Sequence, residues 1–331
     1  MSKPKIAVFL VLIGSMILAA CGTPQTAAPT QPPTTAPTSA STAAPTTAPT
    51  AAPTVAPTAA ATSAPTPVAQ IPPDKLVLKG KLLVCSDIPY PPQEFYDANG
   101  NPSGVDIEIA QEISNRLGLQ LQVVNSVFDT IILAVTSGKC DIIISAQNIT
   151  PDRNKQVSMI PYFEAGQSIV VPKGNPKNIT QPLDLCGLSA AAESGTTEAQ
   201  YLNGTEAYAG KGLTQMCQSA GKGKLTVVVT QKDTDALQQL QSDKVAAYFT
   251  DSPVAGYYVV QSPDLFEVVG QIIDPIKEGI SVPCGAADCT SAPLSPVGQA
   301  VETALKSMMA DGAYQAILTK WHLETSAVTL P

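Results

Sequence analysis

Histidine is nearly missing from this chain: His322 is the single one among 331 residues. Ser-His-Asp and Cys-His nucleophilic sites need an imidazole beside the nucleophile, and His322 lies in the C-terminal region, so hydrolysis of that kind is excluded. One histidine and no Cys-x-x-Cys also leave no ordinary zinc ligand set, and neither metal nor cofactor is expected. Positive charge is scarce too, with 19 Lys and Arg against 27 Asp and Glu. Setting aside Lys3 and Lys5 leaves 17 cations against 27 anions, a net charge of −10. Nucleic acids and anionic lipid surfaces attract basic proteins, so neither is expected as a partner through charge. Long apolar runs are absent as well. The most apolar stretch, Ile6–Ala20, falls short of the ~20 residues that cross a bilayer comfortably.

That stretch follows two lysines and runs into Leu18-Ala19-Ala20-Cys21, the layout of an export signal with small residues at its cleavage point. The four residues resemble a bacterial lipobox, which implies cleavage before Cys21 and a diacylglycerol on its thiol. Residues 1–20 are therefore expected to be a signal peptide, and the remainder an extracytoplasmic protein held to the cell membrane through Cys21, in a periplasm or on an outer face. From Gly22 to about Gln70 the chain is almost wholly Ala, Pro and Thr. Such a segment cannot bury enough surface to offset its ordering entropy, and its prolines favour polyproline II at about 3.1 Å per residue. Residues 21–74 read as a lipidated, disordered tether, residues 75–324 as the folded part, and residues 325–331 as a tail.

Six cysteines follow Cys21, in a compartment where disulfides persist. Cys284 and Cys289 flank a short Gly-containing loop and are the first expected pair. Cys186 with Cys217 is the second; a loop of that length is worth roughly 3–4 kcal/mol in the chain-entropy model. Cys85 and Cys140 are left as either two buried thiols or a third pair.

The folded part alternates strand and helix patterns. "KLLVCSD" (81–87) is a buried strand run. "DIEIAQEISNRLG" (106–118) sets Ile107, Ala110, Ile113 and Leu117 on one helical face, with Asp106 as its cap and Gly118 as its stop. "LQLQVVN" alternates as a strand, "DTIILAVTSG" reads as a helix, and "DIIIS" as a strand. After "GQSIVVPKG" (166–174) the pattern repeats: "GLSAAA", "KLTVVVT" and "VAAYFT" as strands, "TTEAQYLN", "DTDALQQLQSD" and "SPVAGYYVVQS" as helices. Two amphipathic helices, near 295–310 and 312–321, end the chain. The fold class is α/β, as two lobes with parallel sheets and right-handed crossovers, and a ligand cleft where the strands' carboxyl ends face each other.

Three clusters fall just after strands: "SDIPYPPQEF" (86–95), "SAQNITPDR" (145–153), and "ESGTTEAQ" (193–200) with "TDSPVAGYY" (250–258). With "GVDIEIAQEI", "FDTIILAVTSGKCDIIIS" and "YFEAGQSIVV" they resemble, in order and spacing, the family 3 extracellular solute-binding proteins over nearly all of 76–323. The resemblance implies a two-lobed, flytrap-like fold. Lobe 1 would take about 75–166 and 278–324 and lobe 2 about 167–277, with hinges near 165–170 and 276–282. It implies a binding protein that takes a polar amino acid to the membrane subunits of an ABC importer. A monomer is expected.

The resemblance also assigns residues. Arg153 matches the arginine that grips the ligand α-carboxylate, a task suited to a guanidinium's parallel N–H donors. Ser145, Ala146 and Asn148 belong to the turn that offers N–H groups and short side chains to the same head group. Thr196 and Thr197 open a helix whose N–H groups and dipole favour an anion. Asp251 matches the carboxylate that pairs with the α-ammonium; the lesser alternative is an N-cap of the helix that begins at Ser252. Tyr90 and Phe128 match the aromatics around the ligand side chain. Asp87 and Asp106 match carboxylates that meet a cationic or amide side chain, and Asp106 is also a candidate cap. Gln93 stands where the family usually has Phe and is expected to add a polar lining. Val105 replaces another Phe, and Asn148 a Ser or Thr. The alternative is an enzyme on the same fold, like the periplasmic cyclohexadienyl dehydratases, or a ligand-sensing module. That chemistry needs a proton donor at a leaving hydroxyl, and no acid is singled out for it beyond those assigned to binding, so the expectation is a binding protein and no enzyme.

Overall fold

The computed structural model describes residues 67–330; the expected signal peptide, Cys21 and most of the tether lie outside them. Strand β1 (Lys81–Ser86) is followed by a small hairpin, β2 (Phe95–Tyr96) and β3 (Pro102–Ser103), and by helix α1 (Val105–Arg116). Next come β4 (Gln120–Asn125), α2 (Ile131–Thr136), β5 (Ile142–Ile143) and the single turn α3 (Pro151–Asn154). The long strand β6 (Ser158–Pro172) leads to β7 (Ser189–Glu193), α4 (Thr197–Asn203), α5 (Leu213–Ser219), β8 (Thr226–Thr230), α6 (Asp233–Gln241), β9 (Ala247–Asp251) and α7 (Ser252–Gln261). A second long strand, β10 (Phe266–Val282), returns before α8 (Pro296–Asp311) and α9 (Ala313–Lys320).

Eight strands form one sheet in the order β4-β1-β5-β10-β6-β9-β7-β8. At one end β1 pairs in parallel with β4 and β5; at the other β7 pairs in parallel with β8 and β9. Between them β6 and β10 run antiparallel from Ser158–Val282 to Pro172–Phe266. This pair is the continuous connection between the two parallel units. Its register breaks between Val269 and Ile273, between Ile273 and Ile276, and between Glu278 and Gly279. Gly270 and Pro275 sit at those breaks, where a missing side chain or a missing N–H does least harm to a ladder.

Each lobe has its own apolar centre. In lobe 1, Leu82 and Val84 of β1, Ile142 and Ile144 near β5, and Ile109 and Ile113 of α1 pack with Val301 and Leu305 of α8. In lobe 2, Ala190 and Ala192 of β7, Ile169 and Val171 of β6, and Phe249 of β9 pack under Leu202 and Leu213. Burying a side chain of the Ile, Leu or Phe type contributes about 1.5–3 kcal/mol, so each lobe holds itself without a ligand between them.

Three disulfides tie this frame: Cys85–Cys140, Cys186–Cys217 and Cys284–Cys289, with Cα separations of 5.8, 5.4 and 5.7 Å. The first decides between the two states left open for Cys85 and Cys140 in favour of a bridge. Burial of both residues does not by itself distinguish a buried thiol from a buried bridge. The cap of α1 is a correction. Gly104 holds the N-cap position and Asp106 is already inside the first turn.

Candidate functional site

The carboxyl ends of four strands converge on one cavity between the lobes. From lobe 1 come Asp87, after β1, and Ser145 and Ala146, after β5; from lobe 2 come Glu193, ending β7, and Asp251, ending β9. The wall is completed by Tyr90, Glu94, Phe128, Asn148 and Arg153 on one side and Thr196, Thr197 and Glu198 on the other.

Arg153 is fixed by its own turn. Thr150 caps α3, its hydroxyl accepting the Arg153 N–H, and Pro151 sits at the first helical position. The guanidinium then reaches back to the Asn148 carbonyl (2.8 Å) and across the cleft to the Gly195 carbonyl (2.9 Å). It also stands 5.3 Å from the centre of the Phe128 ring, a cation–π distance. Burial lowers its pKa, and the carboxylates of Glu198 and Asp251 oppose that shift. Its charge is balanced by acids of the other lobe.

Further bonds cross between lobes. The Asn148 amide donates to the Thr197 hydroxyl at 2.7 Å. The Tyr90 hydroxyl donates to Asp251 Oδ2 at 2.7 Å and accepts the Asp251 backbone N–H at 3.2 Å. Lys232, just before α6, places its ammonium on Asp87 Oδ1 and 3.3 Å from the Ile88 carbonyl. The lobes are closed on each other.

Asp251 occupies the N-cap position of α7 but makes no side-chain cap bond; the carboxylate turns into the cavity. Its Oδ1 is buried without a donor. Burial, and then the neighbouring Glu198, push its pKa well above the usual carboxylate range. A cation between the two acids would favour their ionised forms and oppose that shift. Thr196, in contrast, is a true cap: its hydroxyl accepts the Ala199 N–H at 3.2 Å.

Two residues expected to face a ligand stand behind the wall. Asp106 Oδ2 accepts the Ala146 N–H (2.9 Å) and the Tyr162 hydroxyl (2.7 Å), holding Ala146 in a left-handed conformation at φ 43°. Burial raises its pKa to about 6. Gln93 is wholly enclosed and does not line the cavity; its backbone carbonyl accepts the Asp106 N–H. These are corrections: the family resemblance placed both near a ligand, but Asp106 shapes the Ala146 turn and Gln93 is enclosed behind it.

The wall also contains acids that sequence reading passed over: Glu94, Glu193 and Glu198. Each stood inside a quoted cluster. Glu193 follows the apolar run "SAAA" as Asp251 follows "VAAYFT", in each case a charge closing a buried strand, a signal that could have found it. Among the described residues no His, Cys, Asp and Glu side chains group as a metal site, and no helix is long and apolar enough to cross a membrane.

The description "Bacterial extracellular solute-binding proteins, family 3" belongs to the family model that matches residues 82–324. The chain belongs to that family. The match spans every strand from β4 to β10 and all three clusters that line the cleft. Over 125 residues the chain is 40% identical to the probable ABC transporter arginine-binding protein ArtJ of Chlamydia trachomatis serovar D, covering 37% of this chain and 48% of that one. A solved ancestral arginine-binding protein, bound to arginine, is 34% identical with a TM-score of 0.63, covering 73% of this chain and 98% of that chain. A solved ancestral amino acid-binding protein, AncCDT-1, a precursor of cyclohexadienyl dehydratase, is 31% identical with a TM-score of 0.61, covering 73% and 95%. The two-lobed α/β fold of the family is the fold seen here.

Proposed function

We propose that the chain is the extracytoplasmic substrate-binding component of an ABC importer, closing its lobes over a polar, foremost cationic, amino acid and delivering it to the membrane permease. One observation carries this reading: Arg153 and Asp251, from opposite lobes, meet in one buried cavity with opposite charges. An amino acid carries the complementary pair on one carbon. Its carboxylate fits the guanidinium, with the Ser145–Asn148 turn and the Thr196–Thr197 N–H groups beside it, and its ammonium fits Asp251 and Glu198. Tyr90 and Phe128 supply aromatic walls for the side chain.

A ligand touching both lobes favours the closed form by its differential contacts. Bending falls where the β6–β10 register breaks, near 165–170 and 276–282, with lobe 1 as 75–166 and 278–324 and lobe 2 as 167–277. The closed form is what the importer's membrane subunits recognise, and Cys21 anchors the monomer to the membrane surface through its lipid. The relatives' arginine-binding names support a cationic ligand. An enzymatic role like that of the dehydratase to which AncCDT-1 is a precursor would need an acid aimed at a leaving hydroxyl. Asp251 and Glu198 facing one another suit an ammonium better. A thermal-shift screen of the twenty amino acids tests the proposal: arginine, lysine, histidine and glutamine should raise the melting temperature more than glutamate, and glutamate more than leucine or valine. A ligand set led by leucine or valine would refute it.

A further inference from the structure

Five carboxylates face the cavity, and four of them accept from a side-chain hydroxyl or ammonium of the protein. Asp87 accepts the Phe128 N–H on Oδ2 and the Lys232 ammonium on Oδ1. Glu94 accepts the Ser145 hydroxyl and leans on Asp106. Asp251 and Glu198 lie against each other, holding the Tyr90 and Thr197 hydroxyls. Glu193 is the exception. It is 5% exposed, and among the described residues no side-chain hydroxyl or ammonium donates to it; its Oε1, like Glu94 Oε2, Glu198 Oε1 and Asp251 Oδ1, is buried with no donor.

Its position follows from the chain. The backbone N–H of Asp233, at the start of α6, faces the Glu193 carboxyl, and the residue before it, Lys232, is the one seated on Asp87. Phe128 donates to the same Asp87. Glu193, Asp87 and the Phe128 ring therefore share the corner where the ligand side chain would lie. With the α-carboxylate on Arg153 and the α-ammonium between Asp251 and Glu198, Glu193 is the one acid of the wall that neither a side-chain donor nor the ligand head group reaches.

We infer that Glu193 is the acid that pairs with the ligand's side-chain cation, while Lys232 keeps Asp87 occupied and out of that role. The inference rests on the amino-acid reading above. A neutral side chain would leave Glu193 buried among carboxyl groups: Asp233 and Asp235 on α6 and Glu198 on α4, with Asp87 already balanced by Lys232. Burial first, then Asp233 and Glu198, push its pKa up to about 9, so a neutral ligand makes it take a proton when the lobes close. A guanidinium or ammonium there keeps it ionised. The cost of the wrong ligand is therefore a proton, and it grows with pH.

Calorimetry of the full chain at pH 7 with L-arginine and with its neutral isostere L-citrulline, each in two buffers of different ionisation enthalpy, tests this. For the wild type the inference expects arginine to bind at least about tenfold tighter, and citrulline to take up about one proton more than arginine. In Glu193→Gln, citrulline should keep its affinity within about threefold, while arginine's advantage and the proton difference disappear. Persistence of arginine's advantage in Glu193→Gln, equal weakening of both ligands, or equal proton counts in the wild type would each overturn it. The proton count needs no variant and decides the matter even if Glu193→Gln fails to fold. A wild type that binds no amino acid would instead overturn the underlying amino-acid reading, whereas arginine binding without the proton difference removes the Glu193 assignment alone.

Discussion

The Tyr90 hydroxyl and the Asp251 carboxylate, from opposite lobes, are joined by a 2.7 Å hydrogen bond. The same hydroxyl lies 3.1 Å from the Thr250 hydroxyl, so one phenol gathers the end of β9 onto lobe 1. Tyr90→Phe keeps the ring and removes these bonds. A hydrogen bond to a charged group is worth about 1.5–3 kcal/mol, less where the ligand ammonium takes over the acceptor. We expect affinity to fall about three- to tenfold by calorimetry, with the ligand preference unchanged. An unaltered affinity would show that the bond is absent from the liganded closed form.

Gly195 supplies a steric test of closure. Its φ is +79°, and a Cβ there would stand 2.8 Å from the Asp129 Cα of the other lobe. Both the conformation and the contact reject a side chain. Gly195→Ala should leave each lobe folded but hinder their approach, lowering affinity at least tenfold and leaving the liganded radius of gyration by small-angle scattering close to the unliganded value. Compaction equal to wild type would contradict the close approach.

Asp233 links stability to pH. It is buried in lobe 2 and accepts the Tyr248 hydroxyl (2.5 Å) and the Thr250 hydroxyl (3.1 Å), and burial raises its pKa to about 7. The folded state therefore holds a proton that the unfolded chain releases near pH 4, so this residue's contribution weakens as pH rises from about 4 to about 7 and is level above. Asp233→Asn keeps the acceptor and removes the ionisation. Denaturant titration should find the variant more stable than wild type above pH 7, by a few tenths to about 3 kcal/mol, and the difference should shrink toward pH 4. A gap that does not depend on pH would contradict the assignment.

How far the site was legible depended on how its residues were encoded. Asp251 closes a buried strand and Arg153 lies in the short segment between β5 and β6, each inside a stretch that resembles the family's motifs, so local sequence was enough to place them. The ion pair of Asp87 with Lys232 was not legible, because it joins residues 145 positions apart and forms only when the lobes meet. Gln93 misled because a polar residue in a binding cluster looks like lining until packing shows it enclosed. In the fold, β10 was missed as a strand: "EVVGQIIDPIKEGISV" has its alternation broken at Gly270 and Pro275, the places where the ladder shifts register. The parallel strands, with unbroken apolar runs, were plain.

Cys21→Ser removes the thiol expected to carry the lipid. Expressed in a bacterial host, the variant should move from the detergent phase to the aqueous phase on partitioning, while ligand binding stays as in wild type. Equal partitioning of the two proteins would contradict lipidation at Cys21.

The most direct test of the central claim is calorimetric titration of L-arginine into wild type and Arg153→Ala. Arg153 is buried, meets both lobes, and carries the charge opposite to a ligand carboxylate. Truncating one partner of such a desolvated pair costs roughly 2–5 kcal/mol. The account predicts binding to wild type and a loss of about thirtyfold or more in the variant, with its circular dichroism unchanged. Binding by Arg153→Ala within threefold of wild type would contradict it.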